Sequence, residues 1–178
     1  LLRLIENLLL SSRMEVNEIR LKKRMTDVTA IAQNVSREYL VRLAQRGLNL
    51  KTRFPHAKVE SSIDSDALIQ ILSNLMDNAM KFSPKGSMVT MGLDVQNTNM
   101  LFFVSDEGKK IAPEHIDKIF DRFYRIESQE EARREGVGLG LPIVKELVSK
   151  HNGTIWVESQ INAGSTFFVR IPIVTDRE

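Results

Sequence analysis

The order of helical and strand-like patterns along the chain constrains its fold more than any other feature of the sequence. A strongly periodic apolar pattern predicts a helix that starts at the capping residues 64–66 and ends near Phe82, just before Pro84. The other predicted elements are a helix over residues 26–47, two short strands around Pro55, strands over 88–95 and 100–105, a helix over 139–151, and strands over 154–158 and 165–171. This order predicts an α+β fold, a two-layer sandwich with helices on one face of a mixed, largely antiparallel sheet.

The start of the chain carries a separate pattern. Its apolar side chains recur at alternating spacings of three and four residues, as in a coiled-coil seam. The seam consists of Leu2, Ile5, Leu9, Val16 and Ile19. The pattern alone fits a partner helix and an ordinary amphipathic helix on its own domain equally well. It divides the chain into a helical part over residues 1–20 and a domain over residues 21–178.

Length and composition exclude several classes of protein. With 178 residues, 42% of them hydrophobic, the chain can bury the core of one domain. The 25 basic and 23 acidic residues are mixed and leave a net charge of +2, which argues against a nucleic-acid partner. The absence of cysteine fits a reducing compartment such as the cytoplasm. No apolar run reaches the length of a membrane span, so any membrane anchor would lie in a longer parent protein.

One face of the predicted 64–82 helix carries polar residues that could form a site. Gln70, Asn74, Asn78 and Lys81 follow one another at spacings of four, four and three, so their side chains share a face. Polar stripes of this kind are common on solvated helices. Two asparagines in a helix interior, however, have poor helix propensity, and their amide oxygens suit a hard cation such as Mg²⁺. These residues alone support a functional site and a solvated surface equally.

Two glycine-containing motifs follow this helix. Asp106 and Gly108 come directly after an apolar strand, where a carboxylate can accept a hydrogen bond from a ligand's amino group. Residues 136–140 have glycine at every second position and open a helix, so their free N–H groups favour phosphate oxygens. The polar run 127–135 between these motifs is predicted to be a lid. Each motif alone fits a plain turn or loop, but their order describes a nucleotide site under a lid.

In order and content, these motifs resemble the GHKL-type ATP-binding domain of sensor histidine kinases, which has the Bergerat fold. The resemblance spans residues 1–172. The matching segments are residues 70–84 (N box), Asp106 with Gly108 (G1 box), 119–125 (F box), 136–140 (G2 box) and 164–167 (last strand). Residues 8–15 are similar to the end of the second helix of the family's dimerisation domain, which favours the coiled-coil interpretation of the first residues.

The resemblance implies a role for each matching residue. Asn78 would ligate Mg²⁺, Asn74 would assist at the same ion and its water, and Lys81 would contact phosphate. Phe82 would wall the nucleotide pocket, and Asp106 would receive the adenine amino group. The other implied cofactor-binding residues are Gly108, Gly136, Gly138, Leu139, Gly140 and Thr166. The implied lid residues are Phe120 and Phe123 as anchors and Arg125 as a γ-phosphate contact. The predicted catalytic residues are thus Asn74, Lys81 and Arg125.

The sequence departs from the family pattern in two places. Lys110 stands where the family's Asp-x-Gly-x-Gly motif has its second glycine, and a lysine with positive φ would cost about 1 kcal/mol or more. None of the histidines His56, His115 and His151 is followed by the residues of a phosphoacceptor box, so each is expected to be structural. The acceptor histidine is therefore expected upstream of Leu1.

The function implied by this resemblance is that of a protein-histidine kinase. Its domain would bind ATP and Mg²⁺ and transfer the γ-phosphate to a histidine on an upstream dimerisation domain, for relay to a response regulator receiver domain. The parent protein would be a homodimer through that helical domain. The alternatives are a degenerate pseudokinase scaffold, favoured by Lys110, and a GHKL-type ATPase. The ATPases resemble enzymes with a Glu-activated water, and this chain has Asn74 where that glutamate would be.

Overall fold

The computed structural model describes residues 19–126, 138–160 and 164–175, and these residues form the predicted α+β sandwich. In chain order the elements are β1 (Arg24–Asp27), α1 (Val28–Gln45), β2 (Asn49–Arg53), β3 (Glu60–Ile63), α2 (Ser65–Phe82), β4 (Met88–Gln96), β5 (Asn99–Asp106), α3 (Pro113–Ile116), a 3-10 turn (Lys118–Phe120), α4 (Gly140–Lys150), β6 (Thr154–Gln160) and β7 (Gly164–Pro172). The predicted coiled-coil seam apart from Ile19, the predicted lid run 127–135 and Gly136 lie outside the described residues.

The main sheet has five strands in the order β2-β4-β5-β7-β6. β2 pairs with β4 in parallel, and the other three pairings are antiparallel. β1 and β3 form a separate antiparallel pair. The sheet is therefore mixed and largely antiparallel, as predicted, and β5 is its central strand.

The core lies between one face of this sheet and the helices α1, α2 and α4. Side chains alternate along β5, and Met100, Phe102 and Val104 are the ones that point into the core. The side chains that α2 buries completely are Leu68, Ile71, Leu72, Leu75 and Met76. Burying one such side chain contributes about 1.5–3 kcal/mol. The helix that carries Asn74 and Asn78 is therefore held firmly against the sheet.

The opposite face of the sheet carries a row of aromatic side chains. Trp156 and Phe168 stack with 5.1 Å between their ring centroids, and Phe103 lies 6.4 Å from Phe168. Gly92 makes room for this row, because a Cβ at that position would come within 2.1 Å of the Phe103 ring. In the part of the chain that the structure describes, helices therefore cover one face of the sheet only.

Both long helices start at an aspartate cap. Asp27 Oδ1 accepts a hydrogen bond from the Ala30 N–H at 3.0 Å, and Asp64 Oδ1 accepts one from the Ala67 N–H at 3.0 Å. α2 ends at Phe82, and Pro84 follows, a residue that disfavours helical backbone in the residue before it. The cap predicted at residues 64–66 is confirmed. None of the described helices combines the length and the apolar character needed to cross a membrane.

Candidate functional site

Three elements meet at the candidate site: the second half of α2, the end of β5 and the start of α4. Asn74 of α2 lies beside Gly140, the first residue of α4, because a Cβ at Gly140 would be 3.6 Å from Asn74 Oδ1. The end of α2 lies beside the loop after β5, because a Cβ at Gly108 would be 2.8 Å from the Phe82 carbonyl oxygen. The fold therefore brings the three predicted motifs together around α2.

The Asn74 amide has an unused donor at this junction. Its Nδ2 atom is buried and has no hydrogen-bond partner among the described residues. A buried polar group without a partner costs about 1–3 kcal/mol, so such groups commonly mark a position that a ligand, ion or water fills. The adjoining N-terminus of α4 offers free N–H groups and the positive end of a helix dipole. An anionic group between Asn74 and α4 would accept hydrogen bonds from the Asn74 Nδ2 atom and from the free N–H groups of α4.

Asn78 and Lys81 continue the polar face of α2 beyond Asn74. Asn78 lies one helical turn after Asn74 and is partly buried. Lys81 Nζ lies 4.9 Å from the centre of the Phe82 ring, so the cation rests over the aromatic face. The face therefore presents two neutral amides followed by a positive charge and an apolar ring.

Asp106 is a buried carboxylate at the end of the central strand. Its side chain accepts a hydrogen bond from the Gly108 N–H at 2.8 Å and another from the Ser165 N–H. Burial raises the pKa of Asp106 to about 6, although both backbone donors favour the charged form. Gly108 lets the loop pass close over this carboxylate, since a Cβ there would be 2.7 Å from Asp106 Oδ1. A shifted pKa of this kind is typical of functional sites.

Ser165, and not Thr166, lies beside Asp106. The β5–β7 register pairs Asp106 with Ser165 and pairs Ser105 with Thr166. Successive side chains of a strand point to opposite faces, and Thr166 Oγ1 donates to Ser105 Oγ at 2.9 Å on the face away from Asp106. The structure therefore does not bring the predicted Thr166 to the site. Ser165 was missed, although strict alternation from the buried Phe167 would have pointed to it.

A chain of hydroxyl groups holds the loop that follows Asp106. Ser165 Oγ lies 2.9 Å from Ser159 Oγ, and Ser159 Oγ accepts a hydrogen bond from the Ile111 N–H at 2.9 Å. Gly164 is also needed here, because it has a φ of +74° and a Cβ there would come within 1.8 Å of the Asp106 carbonyl oxygen. The strands β6 and β7 thus fix both sides of the buried carboxylate.

The glycine-rich start of α4 is anchored by backbone contacts. Gly138 has a φ of +74°, a value that favours glycine, and a Cβ there would lie 2.9 Å from the Tyr124 carbonyl oxygen. The Phe123 N–H donates to the Gly138 carbonyl oxygen at 3.1 Å. Leu139 is buried in the core at the N-cap of α4. Its side chain therefore anchors the glycine segment.

The predicted lid residues separate into buried and exposed side chains. Phe120 packs partly buried against the core, whereas Phe123 is 59% exposed and has a φ of +61°. Tyr124 is held by its hydroxyl, 2.7 Å from His115 Nδ1. Arg125 is exposed and lies at the edge of the described residues. Phe120 therefore has the anchor position expected of it, and Phe123 does not.

Lys110 does not adopt the left-handed backbone that the family's glycine pattern suggested. Among the described residues other than glycine, only Asn97, Phe123 and Asn152 have a positive φ. The Lys110 side chain is exposed. The conformational cost expected for a lysine at this position therefore does not arise.

Comparisons with known proteins agree with this arrangement. The profile of the family described as histidine kinase-, DNA gyrase B- and HSP90-like ATPase matches residues 63–175. Sensor protein SrrB of Staphylococcus aureus (strain NCTC 8325 / PS 47) is 31% identical over 170 residues, which are 96% of this chain and 29% of SrrB. This chain therefore spans less than a third of that relative.

Comparisons with solved structures also point to histidine kinases. Full-length ShkA in complex with AMPPNP is 26% identical with a TM-score of 0.84, and the match covers 99% of this chain and 36% of that one. Acinetobacter baumannii histidine kinase AdeS is 27% identical with a TM-score of 0.77, covering 97% of this chain and 78% of that one. The chain belongs to the family of histidine kinase-, DNA gyrase B- and HSP90-like ATPases, within which it is similar to the catalytic domains of sensor histidine kinases.

Proposed function

We propose that this chain binds ATP with Mg²⁺ and presents the γ-phosphate to a histidine of an upstream helical domain. The observation that carries the proposal is the convergence at one place of the buried Asp106 carboxylate, the unpartnered Asn74 amide and the glycine-rich start of α4. A carboxylate can accept a hydrogen bond from the amino group of adenine, and the N-terminus of a helix can bind phosphate. The two groups therefore suit the two ends of an adenine nucleotide.

Asp106 is the proposed adenine contact. Its ionised oxygens would accept a hydrogen bond from the exocyclic amino group, while the Gly108 and Ser165 N–H groups hold the carboxylate in place. Gly108 leaves space for the base to approach the backbone. Phe82, whose carbonyl lies beside Gly108, would wall the base on the α2 side. This group of residues would select a base that carries a hydrogen-bond donor at the amino position.

The phosphates are proposed to lie along the polar face of α2 and the start of α4. Gly138 and Gly140 would let the chain approach the phosphate oxygens, and Lys81 would neutralise part of their charge. We also propose Gly136 and Arg125 as phosphate contacts, on the basis of their matching motif positions.

The residues of α2 fit a magnesium ion at these phosphates. Amide oxygens are ligands that Mg²⁺ accepts, and it is commonly held by one or two protein groups together with phosphate oxygens. Asn78 would be the direct ligand, and Asn74 would assist at the same ion and its water. The ion would supply charge neutralisation on the transferring phosphate.

Transfer to an imidazole suits this site better than hydrolysis does. An amide cannot remove a proton from water, so Asn74 cannot act as the general base that a glutamate would be. An imidazole nitrogen is itself a nucleophile: its lone pair attacks the γ-phosphorus, and ADP leaves with the electrons of the broken bond. The task of the domain is then to position ATP and to neutralise charge.

We also propose a domain organisation, a partner and a cellular location for the parent protein. Residues 1–20 would be the end of the dimerisation helix and linker, and residues 21–178 the catalytic domain. The parent protein would be a homodimer and would pass its phosphate to a response regulator receiver domain. We place the domain in the cytoplasm, where ATP is available.

Phosphotransfer to the upstream helical domain tests this proposal. The chain is mixed with that domain, supplied separately, and with γ-labelled ATP and Mg²⁺, and acid-labile phosphate on histidine is measured. Asn78→Ala should lower the transfer rate by at least about tenfold, and Asn34→Ala, which changes an exposed asparagine of α1, should not. Free phosphate released at the same rate without the helical domain would favour an ATPase. Transfer that does not depend on Asn78 would overturn the proposed ion site.

A further inference from the structure

A polar cluster between α1 and α2 lies directly behind the two asparagines of the candidate site. Tyr39 of α1 is completely buried, and its hydroxyl lies 2.7 Å from Asp77 Oδ1 and 2.9 Å from the Ser73 carbonyl oxygen. Arg42 Nη2 donates to the same Asp77 oxygen at 2.9 Å. The Arg42 guanidinium carbon lies 4.3 Å from the centre of the Tyr39 ring. Three side chains thus tie α1 to α2 at two successive turns of α2.

The attachment points are the residues that immediately precede the two asparagines. Ser73 is followed by Asn74, and Asp77 is followed by Asn78. One residue along a helix corresponds to a rotation of about 100°. A bond that fixes the direction of residues 73 and 77 therefore also fixes the direction in which Asn74 and Asn78 point.

The chemistry of the cluster makes this attachment directional. The Tyr39 hydroxyl has one proton, and a carboxylate oxygen attracts it more strongly than a carbonyl oxygen does. The Asp77 oxygen that accepts this proton also accepts a hydrogen bond from the Arg42 guanidinium, so Arg42 fixes the orientation of the carboxylate. The hydrogen bonds of this cluster have fixed geometry, so they add a directional constraint to the apolar packing of α2 against the sheet.

We propose that Tyr39, Asp77 and Arg42 are positioning residues that set the rotation of α2 about its axis and thereby aim Asn74 and Asn78 at the ion and phosphates. This inference rests on the proposed function. The cluster touches the residues next to the site and acts through them. Its effect should therefore be larger on the part of nucleotide binding that depends on Mg²⁺, which needs Asn78, than on the part that does not. Adenine binding at Asp106 depends mainly on the end of β5 and the Gly108 loop, and α2 contributes only Phe82 to it, so this part of binding should change less.

Affinity for a nucleotide measured with and without Mg²⁺ separates this role from simple helix packing. AMP-PNP with Mg²⁺ and ADP in EDTA are titrated against the chain at a temperature where every variant is folded. Tyr39→Phe and Asp77→Ala should weaken binding with Mg²⁺ roughly fivefold or more, and binding in EDTA less than about twofold. Asp94→Ala is the matched control, because Asp94 and Asp77 side chains are both 32% exposed and each pairs with an arginine. It should change neither affinity.

The outcomes distinguish this inference from the proposed function. If Tyr39→Phe and Asp77→Ala lower the melting temperature but weaken both affinities equally or not at all, the cluster is a packing contact and the inference fails. If the unchanged chain binds no nucleotide, the proposed function fails. Positioning is then decided by the side-chain amide NMR signals of Asn74 and Asn78 in the nucleotide-free chain. They should shift in both variants and stay unchanged in Asp94→Ala.

Discussion

Asp106 illustrates how a binding function can reduce stability. Burial raises the pKa of this carboxyl from 3.8 to about 6, so at neutral pH the folded chain carries a charge that its surroundings disfavour. The unfolded chain has no such penalty. Asp106 therefore opposes folding at pH 7, and the penalty shrinks as the pH falls from about 6 towards 4 because the folded form takes up the proton.

Replacing this carboxylate should separate stability from binding. We expect Asp106→Asn to raise the free energy of unfolding of the nucleotide-free chain by about 1–2 kcal/mol at pH 7.5 and by less at pH 4.5. ATP affinity should fall at least about tenfold, because the amide oxygen has to accept the Gly108 and Ser165 N–H groups and the amide N–H groups then face the adenine amino group. Denaturant unfolding at both pH values and a nucleotide titration measure these effects. A variant that is less stable than the original chain at pH 7.5 would show that the buried Asp106 carboxylate does not oppose folding.

Replacing Lys110 by glycine, the residue of the family pattern, is not expected to improve this chain. Because its backbone lacks a positive φ, glycine at this position relieves no strain. We expect Lys110→Gly to lower the free energy of unfolding by about 0.5–1 kcal/mol through the greater freedom of the unfolded chain. ATP affinity should not increase. Thermal unfolding and calorimetric titration check both points, and an affinity gain of about tenfold would show that Lys110 obstructs the pocket.

Residue types in order were enough to predict most of the candidate site, but not every side chain. Asp106, Gly108 and Asn74 became candidates through the order in which their motifs follow one another, because each motif alone also fits a plain turn or a solvated surface. The prediction that Thr166 lies near Asp106 was wrong, because the register pairs Asp106 with Ser165. A segment can match a family motif while one of its side chains points to the other face of the sheet. A shift of one residue along a strand reverses its face. Ser165 could be identified with certainty only from the register.

At the scale of elements, α2 and α4 are joined at the ends that lie away from the nucleotide site. His151, the C-cap of α4, is buried, and its Nδ1 lies 2.7 Å from the Leu147 carbonyl oxygen. Its Nε2 accepts a hydrogen bond from the N–H of Asp64, the N-cap of α2, at 3.2 Å. This ring is therefore neutral with its proton on Nδ1. Asp64 Oδ2 also accepts the Lys22 N–H, so the incoming chain meets both helices here.

Protonation of His151 should loosen this junction. Burial, the largest cause, and the charge of Lys23 lower its pKa, while the Leu147 carbonyl and the charge of Asp64 act in the opposite direction. A lowered pKa means that its contribution to stability is complete above about pH 6.5 and is lost as the pH falls below that value. A second proton would also place an N–H against the Asp64 N–H.

Comparison with His151→Gln isolates this effect, since glutamine offers a carboxamide oxygen to the Asp64 N–H and does not titrate. The unfolding free energy of the original chain minus that of the variant should be constant above pH 7 and should fall below pH 6.5, by at most about 1.4 kcal/mol per pH unit. His56 and His115 are present in both proteins and cancel in the difference. Urea unfolding across pH 5–8 provides the values. A difference that stays flat over this range would contradict the lowered pKa of His151.

Local patterns were sufficient to predict most of the elements. The caps Asp27 and Asp64 and the apolar periodicity of α1, α2 and α4 are encoded within a few residues, so these helices follow from the sequence. The strand β1 was not predicted as such, because four residues with an exposed start have little periodicity of their own. It forms through its pairing with β3, which is a contact distant in sequence.

At the scale of the whole molecule, the layer arrangement could be predicted but the strand order could not. Helices and hairpins in this order must bury their apolar faces against each other, and this requirement gives the α+β sandwich. The parallel pairing of β2 with β4 joins strands that are separated by α2 and β3, so no local pattern records it. The same holds for the contact between Asn74 and Gly140, which depends on how α2 and α4 pack.

Asp106 and the α2–α4 junction together are proposed to form one adenine-nucleotide site. Calorimetric titration of the 178-residue chain with ATP and with GTP, each with excess Mg²⁺, decides whether they do. We expect saturable binding of one ATP per chain, with GTP at least about tenfold weaker because guanine has a carbonyl group where adenine offers a donor to Asp106. An absence of saturable ATP binding at millimolar nucleotide, or equal affinity for GTP, would contradict it.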